Sequence, residues 1–178
     1  MKDFSHRLRP RSLGAQIDRM KAWPDFEVVR LGRDVAVWEG RLRGFQQFYR
    51  VRITWGEGRD RPYVQILDPP LEPIEAGKYA NIPHLMFDEA NPLESGLCLF
   101  DPEGREWAPH MLIADTTIPW AARWLYFYEL WLFDGVWRGG GVGAESIGAA
   151  RTATLHEQES QHESETSDTT TVASDKAV

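Results

Sequence analysis

Apolar and polar residues alternate near the middle of the chain in a way that suits a half-buried strand. Tyr49, Val51, Ile53 and Trp55 are interleaved with Arg50, Arg52 and Thr54, and a period of two sends each set to its own face of a sheet. Similar apolar runs predict strands over residues 26–31, 35–42, 45–55 and 63–67. Their connections, Gly32-Arg33, Arg43-Gly44 and Gly56-Glu57-Gly58, are short and turn-like, so an antiparallel meander is the economical topology. Asp68-Pro69-Pro70 ends it, because proline cannot donate to a ladder. Two segments carry helical spacing instead. Leu13, Ile17 and Met20 share one face of a short helix that Ser12 can cap and Pro24 stops. Near the C-terminal end Thr117 is the expected N-cap, Pro119 sits just inside, and Asp134-Gly135 closes the helix. Trp120, Trp124, Phe127, Tyr128 and Trp131 fall on one stripe, with Leu125 and Leu132 widening it. Such a stripe packs on a sheet, and Glu129 among these aromatics reads as a hydrogen-bonded structural carboxylate. The predicted class is α+β: an N-terminal helix, a four-stranded antiparallel meander, a long irregular segment and a long aromatic helix.

The pattern breaks after about Gly139. Gly139-Gly140-Gly141-Val142-Gly143 resembles a phosphate loop in composition only, since no Gly-Lys-Ser/Thr follows, and it reads as a hinge. Beyond it Ser, Thr, Glu, Gln and Asp dominate, with too few large apolar groups to offset ordering entropy. The expected organisation is one domain over residues 1–141 and a disordered, acidic tail over 142–178. The net charge of −7 is uneven: 14 basic and 8 acidic residues in 1–62, 4 and 12 in 63–141, 2 and 7 in the tail. The arginines of the basic part mostly alternate with apolar residues, as on a solvated sheet face, and no nucleic-acid partner is expected. No apolar run reaches membrane-spanning length and the start has no signal-peptide core, so a cytoplasmic protein without membrane attachment is expected. A single cysteine excludes an internal disulfide and a multi-cysteine zinc site, and neither metal nor cofactor is expected.

That cysteine, Cys98, is the strongest candidate for chemistry. In Gly96-Leu97-Cys98-Leu99-Phe100 it could be a small buried hydrophobe. Its approach, residues 88–95, and its exit, residues 101–106, are polar and turn-rich, however, and a cysteine between two surface turns can be reached by a partner. Nine residues on comes Trp107-Ala108-Pro109.

A Cys-bearing stretch after a sheet, then Trp-x-Pro, then a helix resembles the ubiquitin-conjugating enzymes. Gly96, Cys98-Leu99, Trp107 and Pro109 stand in the family's places, and Pro62-Tyr63-Val64 is similar to the start of its fourth strand. Pro83-His84-Leu85, Leu97-Cys98-Leu99-Phe100, Glu106-Trp107, the stretch Ala114-Asp115-Thr116-Thr117-Ile118-Pro119-Trp120, the aromatic run from Trp124 to Trp131 and Gly135-Val136-Trp137 resemble more specifically the bacterial branch found in CBASS antiphage operons. The resemblance covers residues 10–141. It implies a protein that carries an acyl group, the C-terminal glycine of a partner, as a thioester on Cys98 and transfers it to an amine. The implied partner is a CBASS cyclic-oligonucleotide synthase, a cGAS-like nucleotidyltransferase, with a separate activating enzyme or an already activated partner supplying the acyl group.

The chain also departs from that family. The His-Pro-Asn triplet of the eukaryotic enzymes does not precede Cys98, and their two extra C-terminal helices are replaced by the Gly-rich tail. Asn91, His84 or backbone N–H groups are the candidates for stabilising the oxyanion, and Asp101 or Asp115 for taking the amine's proton. Each has a structural alternative: turn chemistry for Asn91 and Asp101, helix capping for Asp115, a satisfied imidazole for His84. Arg105 is the only cation near Cys98 in sequence, so the thiol has little to lower its pKa. Two other functions stay open: a binding module of the same fold with a structural cysteine, and a cysteine hydrolase in which His84 or His110 pairs with Cys98.

Overall fold

The Ser12 hydroxyl accepts from the Ala15 N–H at 3.3 Å and starts helix α1, Leu13–Met20, where the sequence places it. The computed structural model describes residues 9–58, 61–101 and 106–140, so the tail over 142–178 lies outside the described residues. α1 buries Leu13, Met20 and the polar Gln16. Four strands follow, β1 (Glu27–Leu31), β2 (Val35–Arg43), β3 (Phe48–Gly56) and β4 (Tyr63–Asp68), each antiparallel to the next. The alternation along β3 is as expected, with Tyr49, Val51, Ile53 and Trp55 buried. Register sets Ala36 opposite Trp55, Trp38 opposite Ile53 and Leu42 opposite Tyr49, so these large groups share the inner face.

The meander is part of a larger sheet. Two short strands, β5 (Leu85–Met86) and β6 (Gly96–Leu97), extend it to six in the order β1-β2-β3-β4-β6-β5. Two-residue strands carry no periodicity, and only pairing reveals them. β3 also begins at Phe48 rather than at residue 45. Gly44 N–H donates to the Gln47 carbonyl at 2.8 Å, and the Gln46 and Gln47 N–H groups donate to the Glu129 carboxylate. Residues 45–47 are therefore a turn held from outside, and Glu129 has the structural role expected of it.

Helix α2, Thr117–Asp134, lies against the sheet, with the Tyr128 ring edge-on to Tyr49 at 6.4 Å. Two details differ from expectation. The N-cap is Thr116, and Thr117 is the buried first residue of the helix. The seam runs through Ile118, Ala121, Trp124, Leu125, Tyr128 and Trp131, whereas Trp120 and Phe127 are half-buried and Leu132 is exposed. The spacing Thr117, Ala121, Trp124, Tyr128, Trp131 follows the helical period closely, and the small Ala121, not the bulky Trp120, meets the core. Gly135, at φ 74°, ends α2 by donating its N–H to Trp131 O at 2.7 Å.

Candidate active site around Cys98

Cys98 follows β6 directly, so what positions β6 positions the thiol. Gly96 pairs with Gln65 of β4 on one side and with Met86 of β5 on the other. The Tyr63 ring covers Gly96 so closely that a Cβ there would lie 2.4 Å from Tyr63 Cε2, which only glycine avoids. Tyr63 Oη donates to Glu94 O at 2.7 Å, and Gln65 Nε2 donates to the Glu94 carboxylate at 2.6 Å. Two side chains of β4 thus hold the approach to the cysteine. On the other flank the Asp88 N–H donates to Ser95 Oγ, and the Asp88 carboxylate accepts from the Ala90 and Asn91 N–H groups, closing the loop on itself.

The His84 carbonyl is the second anchor. It accepts from the Cys98 N–H at 2.8 Å and from Trp124 Nε1 at 3.1 Å, which uses both lone pairs and ties the Cys98 backbone to the middle of α2. His84 has φ 53°, a left-handed conformation that costs a non-glycine residue energy. Its ring lies 5.4 Å from that of Trp137, and burial holds the imidazole below its ordinary pKa, which favours the neutral form.

The thiol itself is half-buried, with Sγ 3.6 Å from Phe100 O. Burial pushes its pKa up, the Asp101 carboxylate adds to that push, and Arg61 opposes it. Arg61 comes from just before β4 and lies 5.7 Å over the Phe100 ring. Sequence reasoning missed it because it stands 37 positions upstream of Cys98 in the chain, while Arg105, the cation near in sequence, lies outside the described residues.

The other candidates separate. Asp101 belongs to the thiol's surroundings, and its N–H donates to Glu106 Oε2 at 2.8 Å. Asn91 is exposed before the 3-10 turn Pro92–Glu94, and its side chain makes no capping bond there. Asp115 is ion-paired with Arg19 of α1 at 2.7 Å and is not among the charges acting on Cys98. His110 is half-buried, and its carbonyl accepts from Arg11 Nε at 3.1 Å. Trp107 is buried in the core. The stretch after it is strapped to the N-terminal region: Arg11 N–H donates to Pro109 O, Gln16 Nε2 to Met111 O, and Trp23 Nε1 to Ala114 O. Gln16 Oε1 also accepts from the Ile113 N–H at 2.9 Å. Its place on the inward face of α1, midway between Leu13 and Met20, was the only signal available for this role.

Among the described residues no group of three His, Cys, Asp or Glu side chains is arranged to hold a metal ion, and no helix is long and apolar enough to cross a membrane. The family model of type II CBASS E2 proteins matches residues 16–145, which include Cys98, the Trp107–Pro109 stretch and α2. Among curated proteins none is significantly similar to the chain. The chain belongs to the type II CBASS E2 family, E2-like proteins of antiphage defence.

Proposed function

We propose that Cys98 accepts the C-terminal acyl group of a partner protein as a thioester and passes it to an amine, on a domain with the ubiquitin-conjugating fold. The observation that carries this reading is the placement of the chain's single cysteine. It follows a strand clamped on both sides, its N–H is fixed to His84 O, and loops flank it. In the first step the Cys98 thiolate adds to the activated carbonyl of the partner's C-terminal glycine, carried as a thioester. The new C–S bond forms as the donor's C–S bond breaks and its sulfur leaves as thiolate. In the second step an amine nitrogen adds to that carbonyl. The C–N bond forms, Cys98 departs as thiolate, and the amine's proton passes to a base. Asp101, whose charge acts on the thiol, is favoured for that role over Asp115, which pairs with Arg19. Oxyanion stabilisation falls to backbone N–H groups of the Cys98 segment, to Asn91 or to His84, the last as a neutral imidazole. The family supports a partner from the CBASS operon, and we take the cGAS-like synthase as that partner, with the activated acyl group supplied by a separate activating enzyme or by a partner that is already activated.

A thiol whose pKa is raised, with Sγ directed at a carbonyl, also suits the second reading, a protein-binding module with a structural cysteine. The two separate in one experiment. Incubation with the partner, and with an activating enzyme where one is required, produces a higher-mass species on non-reducing gels that added thiol destroys. Cys98→Ala, folded by circular dichroism, abolishes it. Cys98→Ser abolishes it or turns it into a thiol-resistant, base-labile ester. An adduct that persists in folded Cys98→Ala protein refutes the thioester, because no other cysteine can take it over.

A further inference from the structure

The outer face of the sheet carries a charge arrangement that the conjugation chemistry does not use. β2 and β3 are paired so that Arg41 stands directly opposite Arg50 and Arg43 opposite Phe48. All four are exposed, and the Arg41 and Arg43 guanidinium groups lie 5.6 and 5.8 Å from the centre of the same Phe48 ring. Like charges directly opposite across two strands destabilise a sheet. One pair further along, the same face shows the usual remedy, Arg52 bonded to Glu39 at 2.7 Å. Asp68 of β4 stands opposite Arg50 on its other side, but among the described residues Arg41, Arg43 and Arg50 form no ion pair with a carboxylate, although Arg19, Lys21, Arg52, Lys78 and Arg138 each do. The protein as a whole has a net charge of −7, so this cluster of positive charge runs against the prevailing sign.

We propose that Arg41, Arg43, Arg50 and the Phe48 ring form a docking surface for an acidic segment of a protein partner. Three guanidinium groups on adjacent strands offer forked donors that match carboxylates, and each such pair is directional in a way a lysine is not. Phe48, 54 % exposed between the arginines, supplies apolar area for a side chain of the segment. A protein segment fits better than a nucleic acid. The patch is short, Glu39 and Arg52 already neutralise one another beside it, and residues 63–141 carry 12 acidic against 4 basic side chains that would repel a long polyanion. In the sheet order β4 separates this patch from β6, so docking there would retain a partner without touching Cys98.

The test uses the full chain and a fluorescein-labelled peptide of alternating Glu and Asp, followed by anisotropy. We expect saturable binding in low salt that weakens at least tenfold on raising the salt to physiological strength. Arg41→Glu is the informative variant, since it places a carboxylate opposite Arg50. It should abolish peptide binding while leaving the melting temperature unchanged or raised. Arg33→Glu, an equal charge change in the β1–β2 turn, should alter binding less than twofold, and Phe48→Ala should weaken it severalfold. Cys98 alkylation should be the same in all of them, which separates failure of this surface from failure of the thioester reading. Equal losses in Arg33→Glu and Arg41→Glu would reduce the effect to bulk charge and overturn the proposal. So would absence of binding in low salt, or tighter binding by a single-stranded oligonucleotide of the same charge.

Discussion

The β1–β4 meander with α2 and the Cys98 segment are held by different physics. In the meander, long registered strands and a helix bury Trp38, Tyr49, Ile53, Trp55, Leu125 and Tyr128 almost completely, and the dominant favourable contribution is apolar area removed from water. Among the described residues between 69 and 116, regular structure comes only in pieces of two or three residues. That segment buries scattered side chains, Ile82, Leu97, Trp107, Ile113 and Ala114, and between these anchors its backbone is held by polar groups reaching in from elsewhere. Tyr63 and Gln65 hold Glu94, Trp124 holds His84, Gln16 holds Met111 and Ile113, and the Tyr128 hydroxyl bonds both the N–H and the carbonyl of Glu72. The scaffold stabilises itself by burial and places the candidate site by individual hydrogen bonds. Stability and site geometry should therefore be separable by mutation.

The largest effect should come from the scaffold. Trp38→Ala removes a side chain that is 1 % exposed and should cost about 3–5 kcal/mol by denaturant unfolding, enough to leave the domain marginal. A loss below 1 kcal/mol would show that burial does not dominate there. Gln16→Ala tests the clasp between α1 and the segment after Trp107. It leaves the buried Ile113 N–H and the part-buried Met111 carbonyl without their partner and should cost about 1–3 kcal/mol. Amide exchange should rise most at Ile113. Uniform loss of protection would mean that the clasp is simply part of the core.

Smaller effects should appear in Cys98 reactivity with no change in melting temperature. Because burial and Asp101 raise the thiol's pKa, thiolate is scarce at neutral pH, and the alkylation rate should keep climbing as pH passes the ordinary thiol range. Asp101→Asn removes a charge that raises the pKa and should speed alkylation about two- to fivefold near pH 7.5. Arg61→Gln removes a charge that lowers it and should slow the reaction by a similar factor. If both variants move the rate in the same direction, electrostatics is not what controls the thiol. The smallest effect is expected from deleting residues 142–178, whose composition has little to add to a core. Melting temperatures of the two forms should agree within about one degree, and a larger fall would give the tail a place in the domain.

What could be read along the chain was whatever repeats with the period of a local structure. The alternation along β3, the Ser12 cap and the Gly135 stop are properties of neighbours in sequence, and they appear as expected. The prominence of Cys98 was equally local, a lone thiol between polar turns. Side-chain bulk was a poorer guide, since it put Trp120 in the seam where Ala121 lies. What only the tertiary structure decided was pairing between distant residues. Strands as short as β5 and β6 exist only because β4 is there to pair with β6. Arg61 reaches the surroundings of Cys98 because the chain returns through the sheet, and Arg41 faces Arg50 because one hairpin has one register. Asp115 pairs with Arg19, 96 positions away, rather than serving as a helix cap. Periodicity is written into a sequence position by position, whereas a hydrogen bond or ion pair between remote segments depends on where the whole chain has brought them.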